Sequence, residues 1–452
     1  MISILFLYLM AIIFSLKVIY QNRKKMNGFL FFNVAFSLYY FIIPFFNIYL
    51  LFFKVENIGS FTMKIAAFDL KSLFITYLFT FFLYLVFLIV YKIFKKSSEE
   101  VQFQKDSIEN IFGRNTDEVY NKMIIWGMIT LVLGVFSELV IIYSFGGIFN
   151  AISSAEKLRA YGVDRSIYMK QSLLFVNVLA TISLVSPFVF LFAKRVKNTL
   201  FSKFCLLTSF AASIFYLLFF AGRMPIILFV SCFLIDYFFR KFKHPWIALT
   251  LSVVFLLLFL SKMDDLFFYL SYGNIKISEV NKFSSIINDF SFPYSNILFR
   301  NQINSSFDFR YGIDYFTWII NIIPSSFLNL FGLAKIDASF SFITKFYDPN
   351  GITLGGVPTD MLTFGFRQLS YLGSLIHVIL MVFLCLFLDK IIASLNQKNA
   401  MFFSIRIAFM MFVLVPYADL DSIFRNRFDM VIVIIIGYSL MRVKNKAKNN
   451  LV

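Results

Sequence analysis

Long apolar runs recur along this chain, and they limit what it can fold into more than any other feature does. Of its 452 residues, 60% are hydrophobic, 65 are Phe and only 15% are charged. No soluble core could hide that much apolar surface, so a bilayer must be the solvent. A helix needs roughly 20 apolar residues to span the hydrocarbon core. We therefore expect an all-α, polytopic membrane helix bundle.

Eleven segments of the sequence are apolar and long enough to be membrane helices. They lie near residues 2–19, 28–53, 70–93, 123–143, 171–193, 204–221, 224–239, 245–261, 368–388, 400–417 and 428–441. A twelfth candidate, residues 315–333, is interrupted by Pro324 and two serines. The first run has no basic residue ahead of it and no small-residue cleavage site behind it, so we expect a membrane helix there and not a removable signal peptide.

Basic residues in the connecting loops predict the orientation. With eleven crossings the loops alternate between two sides, whose net charges are +16 and +1; the basic side includes the loop of residues 390–406. Short loops rich in Lys and Arg stay cytoplasmic, so the N-terminus is predicted outside and the C-terminus inside. If residues 315–333 crossed the membrane, the basic C-terminal tail would lie on the outer side, against the charge rule. We therefore expect that segment to be an interfacial or re-entrant helix on the outer leaflet. Topology then explains the basic composition, and no nucleic-acid partner is needed.

This topology predicts three parts. They are an N-terminal bundle of eight membrane helices (1–261), a large outer segment (262–367), and a C-terminal bundle of three helices with a basic cytoplasmic tail (368–452). The outer segment separates two groups of membrane helices and carries eight of the 42 Lys and Arg residues. We therefore expect it to contribute much of the functional surface.

No cofactor or metal is expected. All three cysteines fall inside membrane segments, which excludes a disulfide framework in the outer loops. The two histidines, His244 and His377, cannot form a metal site with a nearby cysteine. No glycine-rich nucleotide loop occurs in the cytoplasmic segments, which argues against an ATP-driven machine.

The sharpest local pattern is Ala221-Gly222-Arg223-Met224-Pro225, a short outer hairpin between two membrane helices. Pro225 belongs in the first turn of the second helix. A helix N-terminus offers unpaired N–H groups and a positive dipole end, and the Arg223 guanidinium can grip two phosphate oxygens. The hairpin therefore predicts an anion site at membrane level. The alternative is that Arg223 only reaches lipid headgroups.

Two earlier charged residues have open interpretations. Glu138 lies inside a predicted membrane helix, where an ionisable group usually faces a partner or a cavity. It is either a buried partner of an outer-loop arginine or a site carboxylate. Arg159 lies on a short amphipathic stretch that follows Gly146-Gly147. That stretch is either an interfacial helix with a solvated face or an arm that brings Arg159 to an anion.

The large outer segment adds further candidates. Arg300 and Arg310 flank INSSFDF, where Asp308 and Asp314 could neutralise them, and Lys335 follows in GLAKIDASFSFI. A Gly- and Pro-rich turn, GITLGGVPTDMLTFGFR, presents Asp360 and Arg367 just before the ninth membrane helix. Such a turn is either a simple loop closure or part of a site.

The last outer loop reads YADLDSIFRNRFD. Asp421 and Arg425, and likewise Arg425 and Asp429, are four residues apart, so a helix would pair them on one face. Arg427 could then contact a phosphate. The loop is therefore either self-neutralised or a second anion contact.

The whole pattern resembles the bacterial O-antigen polymerases, the Wzy-type oligosaccharide repeat unit polymerases. The resemblance rests on about eleven helices, the Gly-Arg outer hairpin, the Gly-Gly arm with a downstream arginine, and a large late outer loop with IPSSFLNLFGLAK and GGVPTDMLTFG. It implies a GT-C-like glycosyltransferase in a Gram-negative inner membrane that needs no metal or nucleotide.

The resemblance also implies the substrates and the roles of residues. The donor would be a growing glycan on undecaprenyl pyrophosphate, and the acceptor a repeat unit on the same carrier. Arg223, helped by Arg159, Arg425 or Arg427, would stabilise the departing pyrophosphate. Candidates for the base are Asp360, Glu138 and Asp421. The remaining basic candidates, Arg300, Arg310, Lys335 and Arg367, would hold the glycan or the acceptor phosphates.

Other functions stay open at this point. A chain-length regulator protein is a further expected partner besides membrane lipid. The main rival function is the lipid-linked oligosaccharide flippase, although the sequence lacks the internal repeat that many transporters show. The O-antigen ligase of the same pathway and a non-catalytic membrane scaffold are further alternatives.

Overall fold

The computed structural model describes residues 1–23, 25–95, 116–160, 171–220, 222–242, 282–350, 356–395 and 400–449, with residues 262, 265–270 and 273. The helices of the first half include α1 (Ile2–Asn22), α2 (Gly28–Ser37), α3 (Ile43–Phe52), α4 (Ser60–Ile65), α5 (Leu70–Phe94), α6 (Thr116–Ser144), α7 (Ile148–Ala160), α8 (Gln171–Ala180), α9 (Ser186–Val196), α10 (Leu200–Phe220) and α11 (Arg223–Lys241). Those of the second half are α12 (Lys282–Asp289), α13 (Phe292–Leu298), α14 (Arg300–Ser306), α15 (Thr317–Asn321), α16 (Ser325–Leu330), α17 (Ser339–Tyr347), α18 (Met361–Ser394), α19 (Met401–Leu414), α20 (Leu420–Asn426) and α21 (Phe428–Asn449).

Seven helical stretches of the described residues are long and apolar enough to cross a membrane. They are Ile2–Asn22, Gly28–Phe52, Leu70–Phe94, Asp117–Ser144, Phe175–Val196, Leu200–Phe219 and Met361–Ser394. Together with the all-helical described regions, they make the chain a polytopic helical membrane protein. Of the other predicted spans, α19 has only 14 residues, α11 and α21 are more highly charged, and residues 245–261 lie outside the described part. The number eleven stays a prediction.

The chain forms two compact units. Unit 1 comprises residues 1–100, 277–389 and 410–423, and unit 2 comprises residues 101–276, 390–409 and 424–452. The three parts proposed from the sequence follow chain order, whereas each unit combines segments that are distant in sequence. In unit 1, for example, the Tyr8 hydroxyl of α1 donates to the Tyr294 hydroxyl of α13 at 2.9 Å.

The chain reverses direction within α18. Leu369 and Ser370 leave the helical conformation, with Ser370 at φ 55°. The short arm (361–368) then packs back along the long arm (371–394), since the Ser374 hydroxyl donates to the carbonyl of Leu362 at 2.9 Å. A straight helix would hold these two residues about 18 Å apart along its axis. The long arm, with 24 residues, is therefore the part that can span a membrane.

Backbone hydrogen bonds from the loop that follows α14 stabilise this reversal. The helix break leaves the carbonyls of Arg367 and Gln368 without intrahelical donors. The N–H of Arg310 donates to the first carbonyl at 2.9 Å, and the N–H of Tyr311 donates to the second at 3.1 Å. The loop around residue 310 is thereby joined to the tip of the hairpin.

A π-helical segment, Leu38–Ile42, lies between α2 and α3. Pro44, two residues later, has no N–H to give to the carbonyl of Tyr40, so the regular α pattern cannot continue through this point. Instead, the N–H of Ile43 donates to the carbonyl of Leu38, five residues back. Such segments often mark functional positions, and this one holds Tyr40 fully buried.

Residues 315–333 form short pieces instead of one helix. A 3-10 turn at Ile313–Tyr315 precedes α15 and α16, and Pro324 separates these two helices at φ −56° and ψ 137°. Large apolar side chains of this segment are exposed, including Phe316 (64%) and Leu330 (78%). This exposure fits a segment that lies against lipid, and its predicted place on the outer leaflet remains a prediction.

Candidate functional site

A buried carboxylate begins the short arm of α18. Asp360 is fully buried, and its Oδ1 accepts hydrogen bonds from the N–H groups of Leu362 (3.1 Å) and Thr363 (3.2 Å). The Tyr40 hydroxyl of the π-helical segment also donates to Oδ1. Oδ2, by contrast, has no hydrogen-bond partner among the described residues. One oxygen therefore fixes the carboxylate, and the other can accept a further proton donor.

Burial changes the acidity of this group. It raises the pKa of Asp360 to about 6, although the hydrogen bonds from Thr363 and Tyr40 oppose the shift. A carboxylate with a pKa near neutrality is better suited to general-base work than an ordinary aspartate, because it is mostly ionised at pH 7 and still basic enough to take a proton. This pKa favours a role of Asp360 as a base, and that role stays a prediction.

Arg367 occupies the other end of the short arm. It is fully buried, and its Nη2 donates a hydrogen bond to the carbonyl of Phe307 at 3.4 Å. Its Nε and Nη1 groups have no partner in the described regions, and it makes no ion pair there. The carboxylates of Asp314 and Asp419 lie near enough to act on its charge, so they partly compensate the cost of burying this cation. The two N–H groups without a hydrogen-bond partner can still donate to an anionic ligand.

Asp360 and Arg367 lie at opposite ends of the short arm. Asp360 precedes the helix and caps its first N–H groups, and Arg367 follows seven residues later, about 10 Å along the axis. The sequence pattern places both residues at a Gly- and Pro-rich turn that is either a loop closure or part of a site. The helix between them is what gives a proton acceptor and an anion-binding group a fixed spacing.

A hydrogen-bonded network surrounds Arg367. Asp314 accepts from Arg310 Nε at 3.1 Å, from Gln368 Nε2 at 3.0 Å and from the Ser339 hydroxyl. Arg310 therefore pairs with Asp314, as the sequence suggested, and its Nη2 also donates to the carbonyl of Asp337 at 2.9 Å. These bonds engage Arg310 in positioning the loop around Arg367, which leaves Arg367 as the better anion ligand.

Asp419 is a second buried carboxylate near this network. Its Oδ2 accepts from the N–H of Phe340 at 2.9 Å and its Oδ1 from the N–H of Asp421 at 3.0 Å. It therefore caps the starts of both α17 and α20. Burial, with a smaller effect from the nearby Asp421 and Asp314, raises the pKa of Asp419 to about 7.

Arg300 is buried in a different environment of unit 1. Its Nη1 donates to Thr76 Oγ1 at 3.1 Å and to the carbonyl of Ile297 at 2.6 Å, and its Nη2 donates to the Tyr371 hydroxyl at 3.3 Å. Three aromatic rings, of Phe79, Phe366 and Tyr371, lie 5.5–5.8 Å from its guanidinium carbon. Asp308, proposed as a neutralising partner, is exposed and forms no ion pair with it.

Lys335, proposed as a contact for the glycan or the acceptor phosphates, forms a hydrogen bond to the backbone. Its Nζ donates to the carbonyl of Asn321 at 2.9 Å. The side chain of the same Asn321 bonds the backbone of Ile336 in both directions, at 2.8 and 3.1 Å. Lys335 thus helps to tie the residues after α16 back onto α15.

Unit 2 contains a buried ion pair that the loop patterns did not indicate. Arg406 of α19 pairs with Asp429 at the start of α21, and both are fully buried. The charge count above had treated Arg406 as a cytoplasmic loop residue. Arg427 lies 3.8 Å from the same carboxylate and is 7% exposed, so it does not extend into solvent. Arg425 is half-buried on α20.

Glu138 is buried inside α6 of unit 2. Its neighbour is Ser183 of the 3-10 turn that follows α8, and its Oε1 has no hydrogen bond in the described part of the chain. Neither open interpretation, a partner of an outer-loop arginine or a site carboxylate, is decided by this environment.

The remaining two arginines are described only through their backbone. Arg223 begins α11 directly after Gly222, as the hairpin pattern predicted, and Pro225 lies in the first turn. Arg159 lies in α7, which confirms a helix over the amphipathic stretch. The side chains of both residues lie outside what the structure describes, so their roles stay predictions.

Sequence reasoning missed Tyr40 and Asp419. Tyr40 lies in a predicted membrane segment that is rich in aromatic residues, so nothing in the sequence distinguishes it from its neighbours. Only Pro44, four residues later, indicates an irregularity in the helix. Asp419 precedes the pairs that the four-residue spacing selected.

Comparison with protein-family models, curated proteins and solved structures finds no match to this chain.

Proposed function

We propose that this protein is an O-antigen polymerase of the Wzy type. It would transfer a growing glycan from undecaprenyl pyrophosphate to a repeat unit on the same carrier, at the periplasmic face of a Gram-negative inner membrane. The observation that carries the proposal is the short arm of α18, with the buried Asp360 carboxylate at one end and the buried Arg367 guanidinium at the other, whose Nε and Nη1 have no hydrogen-bond partner in the described regions. The sequence resemblance supplies the reaction, and this pair supplies the two groups that it needs.

The reaction requires a base and a stabilised leaving group. In the proposed step an acceptor hydroxyl attacks the anomeric carbon of the donor and gives its proton to Oδ2 of Asp360. The bond from the anomeric carbon to the phosphate oxygen breaks, and undecaprenyl pyrophosphate leaves with the electron pair. Arg367 stabilises the negative charge that grows on it. The step balances without nucleotide, metal or redox partner.

The other candidates take supporting roles in the proposal. Arg310 and Gln368 orient Asp314 beside Arg367, and Tyr40 holds the Asp360 carboxylate. Arg223 remains the proposed second phosphate ligand, with Arg159, Arg425 and Arg427 as further basic groups. A chain-length regulator protein is a proposed partner.

A lipid-linked oligosaccharide transporter is the second candidate function. The buried Arg406–Asp429 pair favours it, because ionisable groups buried in a membrane bundle often belong to a transport path. The O-antigen ligase shares the donor chemistry, and the Asp360 and Arg367 arrangement would serve it equally well.

The test combines a gene deletion with two substitutions. We expect the deletion to leave surface lipopolysaccharide with a single repeat unit, and Asp360→Asn and Arg367→Gln to reproduce that pattern at unchanged protein level. Loss of a general base typically costs about 10²–10⁴ in rate, which would remove long chains. Asp308→Asn and Arg442→Gln, at exposed positions, are controls that should keep a normal ladder. Complete loss of O-antigen on deletion would point to the flippase or the ligase, and normal ladders from both site variants would contradict the proposal.

A further inference from the structure

Arg300 is a buried cation that the described residues of unit 1 do not neutralise. Only 5% of the residue is exposed, and within the described residues it makes no ion pair with a carboxylate. Its hydrogen bonds go to two hydroxyls and one carbonyl, which are neutral acceptors. An arginine keeps its charge at any physiological pH. The described surroundings of Arg300 therefore lack an anion.

The guanidinium retains a donor edge for such an anion. An arginine has five N–H donors, and the three hydrogen bonds leave two of them over. One is the Nε–H, which is buried and has no partner in the described part of the chain. Nε–H and a neighbouring terminal N–H form the side of the fork that binds two oxygens of a phosphate.

An exposed apolar seam between α5 and the long arm of α18 begins at this position. Phe79 of α5 packs edge-on against Tyr371 of α18 at 5.1 Å, and Phe94 packs against Phe383 at 5.2 Å, so α5 and the long arm run side by side. Tyr371, which hydrogen-bonds Arg300, is 47% exposed. Arg300 thus lies at one end of the seam, directly behind an exposed ring.

The long arm presents one exposed apolar stripe along the seam. Its members recur every three or four residues: Leu372 (59%), Ile376 (39%), Leu380 (43%), Phe383 (46%) and Phe387 (42%). From Tyr371 to Phe383 the helix rises about 18 Å, which is close to the roughly 15 Å of one hydrocarbon leaflet. The stripe therefore has the length of a single lipid tail.

We propose that a phosphate-bearing membrane lipid binds in this seam, with its phosphate on Arg300 and a hydrocarbon chain along the long arm of α18. The unneutralised charge selects the phosphate, and the exposed stripe selects the tail. Free inorganic phosphate offers only the first of these contacts. The proposal requires a chain embedded in a bilayer and does not rest on the proposed polymerase activity.

Lipid binding to the purified full-length protein tests this site. The probes are phosphatidic acid and a polyprenyl monophosphate, compared with diacylglycerol, which lacks the phosphate, and with inorganic phosphate, which lacks the tail. We expect both lipid phosphates to bind the unaltered protein more tightly than either comparison compound does. Arg300→Gln should weaken their binding about tenfold or more, as loss of a charged hydrogen bond does. Arg300→Lys, which keeps the charge, should lose less, and Arg442→Gln should bind normally.

A second measurement uses the unaltered protein alone, so it stands even where the variants fail to fold. A photoreactive group in the tail of phosphatidic acid should crosslink to residues 372–383 and to the facing side of α5. Crosslinks confined to other helices would overturn the proposal. Equal affinity of the folded Arg300→Gln variant for lipid phosphates would overturn it as well, as would equal binding of diacylglycerol to the unaltered protein.

Discussion

Gly365 and Gly373 bring the two arms of α18 into backbone contact. A Cβ atom on residue 373 would lie 2.2 Å from the carbonyl oxygen of Gly365, and one on residue 365 would lie 2.6 Å from the Cα of Ser374. Neither backbone position can accept a side chain without separating the arms. The relative positions of Asp360, Arg367 and the long arm therefore depend on the absence of a Cβ atom at both glycines.

The first prediction concerns this contact. Gly373→Ala should push the short arm away from the long arm, because the obstructing atoms belong to the backbone and cannot rotate aside. We expect a loss of activity and a lower melting temperature, with a cost on the order of 1–3 kcal/mol for overpacking. Melting in detergent and O-antigen ladders measure the two effects. Gly437→Ala is a useful comparison, since there the nearest atoms are flexible ends of Ile407 and Ile391. Equal effects of both substitutions would argue against a special role for the hairpin.

The second prediction concerns the pH dependence of the reaction. If Asp360 accepts the proton, the rate of polymerisation in proteoliposomes should rise as the pH increases through about 6, where its carboxyl ionises. Tyr40→Phe removes a hydrogen bond that stabilises the ionised form, so it should move this midpoint to higher pH. A midpoint that stays in place in Tyr40→Phe would show that another group controls the profile.

The third prediction concerns stability and Asp419. Burial raises its pKa to about 7 from an ordinary value of 3.8, so the folded state binds a proton more tightly than the unfolded state. Its contribution to stability is therefore fully present below pH 3.8 and is lost as the pH rises through about 7. Asp419→Asn should flatten the decline in melting temperature over this window. The exposed Asp308→Asn should leave the decline unchanged, and an unaltered slope in Asp419→Asn would contradict the assignment.

The fourth prediction concerns the ion pair of unit 2. Removing one partner of a buried pair typically costs about 3–5 kcal/mol, because the other charge remains buried. We expect Arg406→Met or Asp429→Leu alone to reduce folded protein strongly. The double variant should recover part of the loss, as measured by a double-mutant cycle of melting temperatures. Purely additive effects would mean that the two side chains do not stabilise each other.

The fifth prediction concerns Arg223, whose position follows from the sequence pattern. If Arg223 is the second phosphate ligand proposed above, Arg223→Ala should leave single-repeat lipopolysaccharide while the protein still inserts into the membrane. Arg223→Lys, which keeps the charge without the fork, should retain part of the activity. A ladder of normal length from Arg223→Ala would remove this residue from the mechanism.

The sequence by itself determined the class of this protein and several of its local elements. Apolar runs of about 20 residues predict membrane helices, since a helix satisfies the backbone groups of such a run within the segment itself. Local chemistry also located the hairpin before α11, the amphipathic helix α7 and the pairing of Arg310 with Asp314. Each of these depends on residues close together in the chain.

Only the tertiary structure decided what surrounds the charged groups. Asp360 and Arg367 read as loop residues, and the reversal at Leu369 and Ser370 buried them on one short helix. Arg406 read as a loop cation and is paired inside unit 2. Whether a charge is solvated, paired or left without a counter-ion depends on groups far away in sequence. That environment sets the pKa and the ligand preference of each charged group. Spacing along the chain could therefore identify these residues as candidates, but it could not predict their pKa values or ligands.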